Sequence, residues 1–324
     1  MNIAFAGFRH SHILDLYKIA SEEKSVNIVG CFEENDSARI DAEKLGIDFT
    51  YENYSDVLND ENVQIVAIGD YYGIRGKRVI EALKAGKHVI CDKPLCTSLS
   101  ELDEIEKLTK EKNLKILIML DLRYKPQIEK VRNLIRDGAI GKVNIATFTG
   151  QHCLNYGTRP SWYFEEGKHG GTINDISIHG IDLVRYITGK NLSEVTFAHT
   201  WNAFAKEEPH FPDCAQFIVK MDDMVLNADV SYAAPKFQGT LPTYWHFTFW
   251  GEDGMLTFNI ENGDIKIYKE NLETITCPDR KLDYLCDFIK EINGEDVQFV
   301  NTEDMLISQR AVLEIQKAAD RKDK

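Results

Sequence analysis

The chain has 324 residues, 43% of them hydrophobic, and a formal net charge of −14. That length and apolar share suit two domains with substantial cores, while the acidic balance argues against a nucleic-acid partner, whose phosphates it would repel. Met1-Asn2-Ile3 enters a strand directly and no apolar run is long enough to span a bilayer, so neither a signal peptide nor a transmembrane helix is expected.

The seven cysteines lack CxxC pairing and read as reduced thiols of a cytoplasmic protein. Residues 1–6 form a short apolar strand that breaks at Gly7. Phe8-Arg9-His10-Ser11-His12 follows, then a helical pattern carried by Leu14, Leu16, Tyr17 and Ile19. Strand, glycine turn and helix are the layout of a dinucleotide site, in which helix N-terminal N–H groups hold the pyrophosphate. Read as G-x-G-x-x-G, the three positions are Gly7, Arg9 and His12, so one glycine remains. Arg9 offers phosphate a charge-assisted bond in exchange for the lost backbone approach.

A second strand, Val26 to Phe32, leads into Glu33-Glu34. An acid placed there accepts hydrogen bonds from the adenosine ribose. Glu33 is the candidate, and the lack of an arginine directly behind it favours NAD, with NADP as the alternative. Val63 to Gly69 is the next apolar strand, and Gly69, Asp70 and Tyr71 leave its carboxyl end. The pattern predicts a helix over Val79 to Ala85, then a strand from Lys87 to Cys91 closed by Asp92-Lys93-Pro94. Proline fixes its own φ, lacks an N–H and pushes Lys93 away from helical geometry, so the strand stops there. A lysine at that end points into the crevice where α/β sheets bind ligands. Ser98-Leu99-Ser100-Glu101 caps the following helix, and Leu114 to Leu120 reads as another buried strand. Residues 1–122 are therefore expected to form a doubly wound α/β domain of the Rossmann type.

The pattern changes after Arg123-Tyr124-Lys125-Pro126. A helix (Ile128 to Arg136) and an alternating strand (Val143 to Gly150) precede six further strand-like segments: Glu194–Asn202, Cys214–Met221, Met224–Tyr232, Thr243–Trp250, Met255–Ile260 and Asp264–Tyr268. Polar turns such as Met221-Asp222-Asp223-Met224 join them as hairpins. Residues 123–324 are thus expected to be an α+β domain with a large, mostly antiparallel open sheet. Two closing helices, Asp283 to Ile292 and Glu303 to Ala319, suffice for one face. The other face is expected to meet a second copy in a homodimer or homotetramer.

Between the two patterns lies Gly170-Gly171-Thr172-Ile173-Asn174-Asp175-Ile176-Ser177-Ile178-His179-Gly180-Ile181-Asp182. On a regular helix Asp175, His179 and Asp182 share one face. A histidine between two carboxylates is oriented and made more basic, which suits acid–base work; the plainer alternative is a buried histidine with two capping or surface acids. His10, His12, His152, His169 and His179 match no zinc spacing, and no metal is expected.

Asp92-Lys93-Pro94, the Gly-Gly-Thr-Ile-Asn-Asp175 run with His179 and Asp182, Ala85-Gly86-Lys87-His88-Val89 and Arg123-Tyr124-x-Pro126 resemble the glucose–fructose oxidoreductase / inositol dehydrogenase (Gfo/Idh/MocA) family over nearly the whole chain. The resemblance implies an NAD(P)-dependent oxidoreductase acting on CH–OH groups of a sugar, polyol or related compound. It implies Lys93, Asp175 and His179 as catalytic residues meeting over the nicotinamide. Cofactor contacts are then expected from Gly7, Phe8, Arg9, His10, His12, Glu33, Gly69, Asp70, Tyr71, Asp92, Lys93 and Arg123. Arg159, Trp162, Tyr163 and Asn174 are expected to line the substrate pocket, where an aromatic face suits a sugar ring. Departures from the family pattern mark a divergent subgroup: Asp92 stands for glutamate, Gly69-Asp70-Tyr71 for a Thr-Pro-Asn turn, and His10 and His12 crowd the phosphate turn. A catalytically idle dinucleotide or sugar sensor is the other reading; the altered loop favours it, and retention of Lys93, Asp175 and His179 opposes it.

Overall fold

Short, almost wholly apolar strands alternate with amphipathic helices through the first third of the computed structural model, which describes residues 1–321 apart from 240, 262, 279–283, 298 and 300. In chain order these are β1 (Asn2–Ala6), α1 (His12–Glu22), β2 (Asn27–Phe32), α2 (Asp36–Glu43), α3 (Tyr54–Asn59), β3 (Ile65–Ile68), α4 (Tyr72–Lys84), β4 (His88–Cys91), α5 (Leu99–Lys112) and β5 (Ile116–Ile118). All pairings are parallel and the strand order is β2-β1-β3-β4-β5. Every side chain of β3 and β5 is buried, as a sheet covered on both faces requires. Ser98 caps α5 by accepting the Glu101 N–H.

The expected helix at Val79 begins seven residues earlier, at Tyr72. Gly73 and Gly76, inside this first stretch of the helix, allow close approach. A Cβ on Gly73 would lie 2.2 Å from the Gly167 carbonyl oxygen, and one on Gly76 2.4 Å from the Glu101 carboxylate carbon.

The later elements are α6 (Pro126–Arg136), β6 (Val143–Cys153), α7 (Ile178–Thr188), β7 (Leu192–Trp201), β8 (Cys214–Met221), β9 (Met224–Ala234), β10 (His246–Gly251), β11 (Gly254–Asn259), β12 (Asp264–Tyr268), β13 (Leu272–Thr276), α8 (Tyr284–Ile292) and α9 (Thr302–Asp320). Asp283, the expected start of the first closing helix, lies outside the described residues. Eight strands form one sheet in the order β13-β12-β11-β10-β6-β9-β8-β7, antiparallel except for the β6–β9 pair. The β8–β9 hairpin turns at Asp222, whose φ of 51° is the left-handed conformation that a tight hairpin demands. One face of this sheet is core, with Phe148, Phe217, Phe247, Phe249 and Phe258 buried. Ile145 opposite Trp250, and Phe197 opposite Ile218, remain partly exposed.

The chain divides into two units. The first comprises Met1–Met119, Gly167–Gly170 and Asp283–Ile307; the second comprises Leu120–Glu166, Gly171–Leu282 and Ser308–Lys324. The first unit therefore recruits chain from beyond residue 122: Thr302 Oγ1 accepts the Ile116 N–H at 3.0 Å, completing the edge at β5.

Gly180 fixes how α7 meets the large sheet. A Cβ there would fall 2.3–2.6 Å from the Phe148 ring, itself packed against Phe217, Trp245 and Phe247. Gly180→Ala is expected to lower the stability of the fold by about 1–3 kcal/mol, because the ring has nowhere to move. Urea unfolding checks this, and an unchanged midpoint would show that the helix can slide.

Candidate active site

The glycine turn after β1 is held by backbone. Gly7, at φ 85°, donates to Phe32 O at 2.9 Å, and His10 N donates to Gly69 O at 3.0 Å. A Cβ on Gly7 would sit 2.8 Å from Asp70, and one on Gly69 2.4 Å from Ile13, so both glycines are sterically required. α1 starts at His12, and Ser11 makes no side-chain cap bond. The first-turn amides are thus not capped by Ser11, and the turn fits a dinucleotide pyrophosphate.

The side chains expected to touch the cofactor are tied to one another. Glu33 is turned inward: its carboxylate accepts the N–H of Phe8 at 2.5 Å and of Asn35 at 2.7 Å, and its side chain is fully buried. Burial raises its pKa against the pull of those two bonds. Glu33, expected as the ribose acceptor, here braces the loop instead of facing outward. Arg9 lies over the Tyr71 ring and bridges Glu34 at 2.8 Å and Asp70 at 3.2 Å. Asp70 also receives Arg78 at 2.9 Å and the Tyr71 N–H at 2.8 Å.

A second cluster surrounds Asp92 at the end of β4. His10 Nδ1 and Arg75 Nη2 both bond its Oδ2, the latter at 3.0 Å, and His12 Nδ1 lies 3.2 Å from Oδ1. Arg75, fully buried, also donates to Asp70 O at 2.7 Å and to the carbonyls of Asp92, Lys93 and Pro94. It clamps the backbone on both sides of Lys93, a residue with little exposure whose Nζ is 6.0 Å from the Tyr72 ring centre. Nothing in the sequence pattern singled out Arg75, because all of its acceptors but the Asp70 carbonyl lie 17 to 19 residues downstream.

Among the described residues one trio, His10, His12 and Asp92, brings metal-type donor atoms within 4.8 Å of one another. Its electrostatics suit hydrogen bonding better than a cation. Both Nδ1 atoms face the carboxylate, the Tyr72 hydroxyl lies 3.1 Å from His10 Nε2, and Arg75 already supplies the positive charge. Burial pushes His10 down to about 4 despite the adjacent carboxylate. Burial would raise Asp92, but the His10 ring and the Arg75 guanidinium outweigh it and hold the carboxyl well below the usual range.

In the second unit, Asp175 and His179 lie where a π-helical turn (Ile173–Ser177) runs into α7. The wide turn rotates Asp175 out of the regular line expected with His179 and Asp182. The Tyr232 hydroxyl donates to Asp175 Oδ2, and His179 meets the edge of Trp245 at 5.6 Å. Asp182 is not a second carboxylate for His179. It is taken by Arg123, through Nε at 2.7 Å and through Nη2, and by the Ser308 hydroxyl at 2.6 Å. Arg123, expected at the cofactor, is engaged in that buried pair.

The expected substrate residues are mostly packed. Asn174 is fully buried and accepts from Gln309 at 2.8 Å. Trp162 stacks on Tyr163 at 4.1 Å with both rings buried, and Arg159 covers Tyr163 while donating to the carbonyls of Cys153 and Leu154. No local sequence pattern hints at a cavity of about 650 Å³ lined by Gln151, Asn155, Lys236, Phe237, Tyr244 and Glu261, among others. Tyr244 contacts Trp245, the ring that His179 touches. No described helix is long and apolar enough to cross a membrane.

Two models of one family match this chain: the oxidoreductase-family NAD-binding Rossmann fold over residues 1–120, and the GFO/IDH/MocA C-terminal domain over residues 128–257. Levoglucosan dehydrogenase of Pseudarthrobacter phenanthrenivorans is 25% identical over 69% of the chain and 62% of its own length. Myo-inositol 2-dehydrogenase of Thermotoga maritima is 29% identical over 47% of the chain and 44% of its own length. The chain thus spans between about half and two thirds of these curated relatives. The crystal structure of biliverdin reductase from Synechocystis sp. PCC 6803, with biliverdin and NADP+, superposes with a TM-score of 0.82 at 16% identity over 98% of this chain and 99% of that one, which shows the shared fold.

The depressed His10 has a measurable consequence. Its folded pKa of about 4 lies below the ordinary 6.5, so the unfolded chain binds the proton first. The stability contributed by neutral His10 is whole above pH 6.5 and is lost as pH falls towards 4, with a slope of at most about 1.4 kcal/mol per pH unit. Urea unfolding across that window is expected to show the slope, and His10→Gln to flatten it. An equal slope in the variant would assign the acid limb to other groups.

Proposed function

The chain belongs to the GFO/IDH/MocA oxidoreductase family, and from that premise we propose that it moves a hydride between NAD(P) and a carbinol carbon of a sugar, polyol or related compound. The observation that carries this reading is the strand-end lysine, whose flanking carbonyls are all bonded to one buried guanidinium. The levoglucosan and inositol dehydrogenases among its relatives support the substrate class.

A bound nicotinamide supplies the hydride acceptor, and Gly7, Gly69 and the first turn of α1 are the parts of the chain suited to hold its pyrophosphate. The chain's own residues manage the proton and the charge. In the second unit His179 serves as the base for the hydroxyl proton, and in the first Lys93 serves to stabilise developing negative charge. Asp175, its charge supported by the Tyr232 hydroxyl, favours the protonated imidazole. The cavity near Tyr244 has a volume suited to a small ligand and offers both amide and charged groups beside two aromatic rings, which fits a hydroxylated substrate. The partly exposed apolar pairs on the large sheet fit association with a second copy, and seven free thiols fit a cytoplasmic setting.

Lys93→Met is expected to keep dinucleotide affinity and lower kcat by about 100-fold or more with a polyol substrate. Near-normal turnover would remove the lysine from the chemistry, whereas no turnover by the unmodified protein would leave the sensor reading in place.

His179→Ala is expected to lose nearly all activity, and Asp175→Asn a large part of it. Combining them should cost little beyond His179→Ala alone, because residues acting as one unit are non-additive. Steady-state kinetics on the two single variants and the double variant decide this; fully additive losses would hand the base role elsewhere.

A further inference from the structure

The first unit holds a charge cluster that the hydride chemistry leaves unused. Arg9 from the glycine loop and Arg78 from α4 converge on a single oxygen, Glu34 Oε1, with their Nη2 atoms at 2.8 and 3.0 Å. On their opposite edges both are held by Asp70, Arg9 Nε to Oδ1 at 3.2 Å and Arg78 Nε to Oδ2 at 2.9 Å. The arginine side chains are only 13% and 8% exposed, whereas Glu34 is 51% exposed. The Arg78 guanidinium lies over the rings of Tyr54 and Phe32, which fixes its direction. Two anchored guanidiniums thus aim at one point near the surface, and a half-exposed carboxylate occupies it.

That point follows β2, where a dinucleotide fold meets the adenosine ribose; an acid there suits a free 2′-hydroxyl, and an arginine accommodates a 2′-phosphate. Glu33 is turned inward, so Glu34 is the acid that faces this place. We propose that Glu34 is the cofactor discriminator: it fills a two-arginine site for the adenosine 2′-phosphate with the chain's own anion, so that the protein takes NAD and rejects NADP. The inference rests on the dinucleotide reading above. Charge supports it. Arg9 and Arg78 face Glu33, Glu34 and Asp70, and a 2′-phosphate of about two negative charges would enter beside three carboxylates. Without the Glu34 charge it would meet two guanidiniums whose Nη2 atoms point at it, the bidentate geometry that phosphate favours.

The test is calorimetric titration of the full chain with NAD+, NADP+ and, as a control for adventitious anion binding, inorganic phosphate. The unmodified protein is expected to bind NAD+ at least about tenfold more tightly than NADP+. Glu34→Gln, a substitution at a half-exposed position, should tighten NADP+ by about tenfold or more and so narrow or reverse the preference for NAD+. Adding Arg78→Met to Glu34→Gln should abolish the NADP+ gain. The inference is overturned if the unmodified protein prefers NADP+, if Glu34→Gln binds NAD+ without gaining NADP+, or if inorganic phosphate alone gains as much as NADP+. Binding of neither dinucleotide by the unmodified protein would overturn the dinucleotide reading together with this one.

Discussion

One guanidinium that never meets water holds the ligand-binding end of the parallel sheet together. Arg75 joins the end of β3, through the Asp70 carbonyl, to the end of β4, through Asp92 and the carbonyls that flank Lys93. A buried ion pair adds little net stability, because desolvation offsets most of its attraction, yet removing one partner strands a charge at a cost of about 3–5 kcal/mol. The contribution of Arg75 is therefore positional. It makes one backbone conformation at Lys93 far better than its alternatives.

Seen from Asp92, the departures from the family pattern form one compensated set. A glutamate at this position would reach further into the crevice; the shorter aspartate instead receives His10, His12 and Arg75 close to the sheet. The histidines that crowd the phosphate turn are thus the partners the shorter acid requires. The same holds at the second lost glycine position, where Arg9 is balanced by Glu34 and Asp70. Each replacement for a glycine brought its own counter-charge, so the loop keeps a defined shape without the usual close backbone approach.

Much of this was legible in the sequence wherever the signal was local. The apolar strands, the stop at Pro94, the Ser98 cap and the hairpin at Asp222 each depend on residues within a few positions, and they lie close to where the pattern put them. What escaped depends on distant partners. Arg75, Arg123 and Tyr232 look like ordinary helix, loop and strand residues until the fold brings Asp92, Asp182 and Asp175 beside them. The start of α4 was hidden because Gly73 and Gly76 have the same appearance whether they turn a chain or admit a neighbour. β13 was missed because its mostly exposed side chains give an edge strand no buried face to betray it.

The π-helical turn shows most clearly how regular periodicity misleads about chemistry. At 3.6 residues per turn Asp175 and Asp182 are equivalent flanks of His179, and either could serve it. One widened turn ends that equivalence. Asp182 is met by the Arg123 guanidinium through two of its nitrogens, so its charge is cancelled a short distance away and His179 feels little of it. Asp175 receives a neutral hydroxyl, which satisfies an oxygen without cancelling its charge. A carboxylate that must favour an imidazolium has to remain negative and remain oriented. Asp175 keeps its charge beside a neutral donor while Asp182 is paired with a guanidinium, and the irregular turn holds the first of the two.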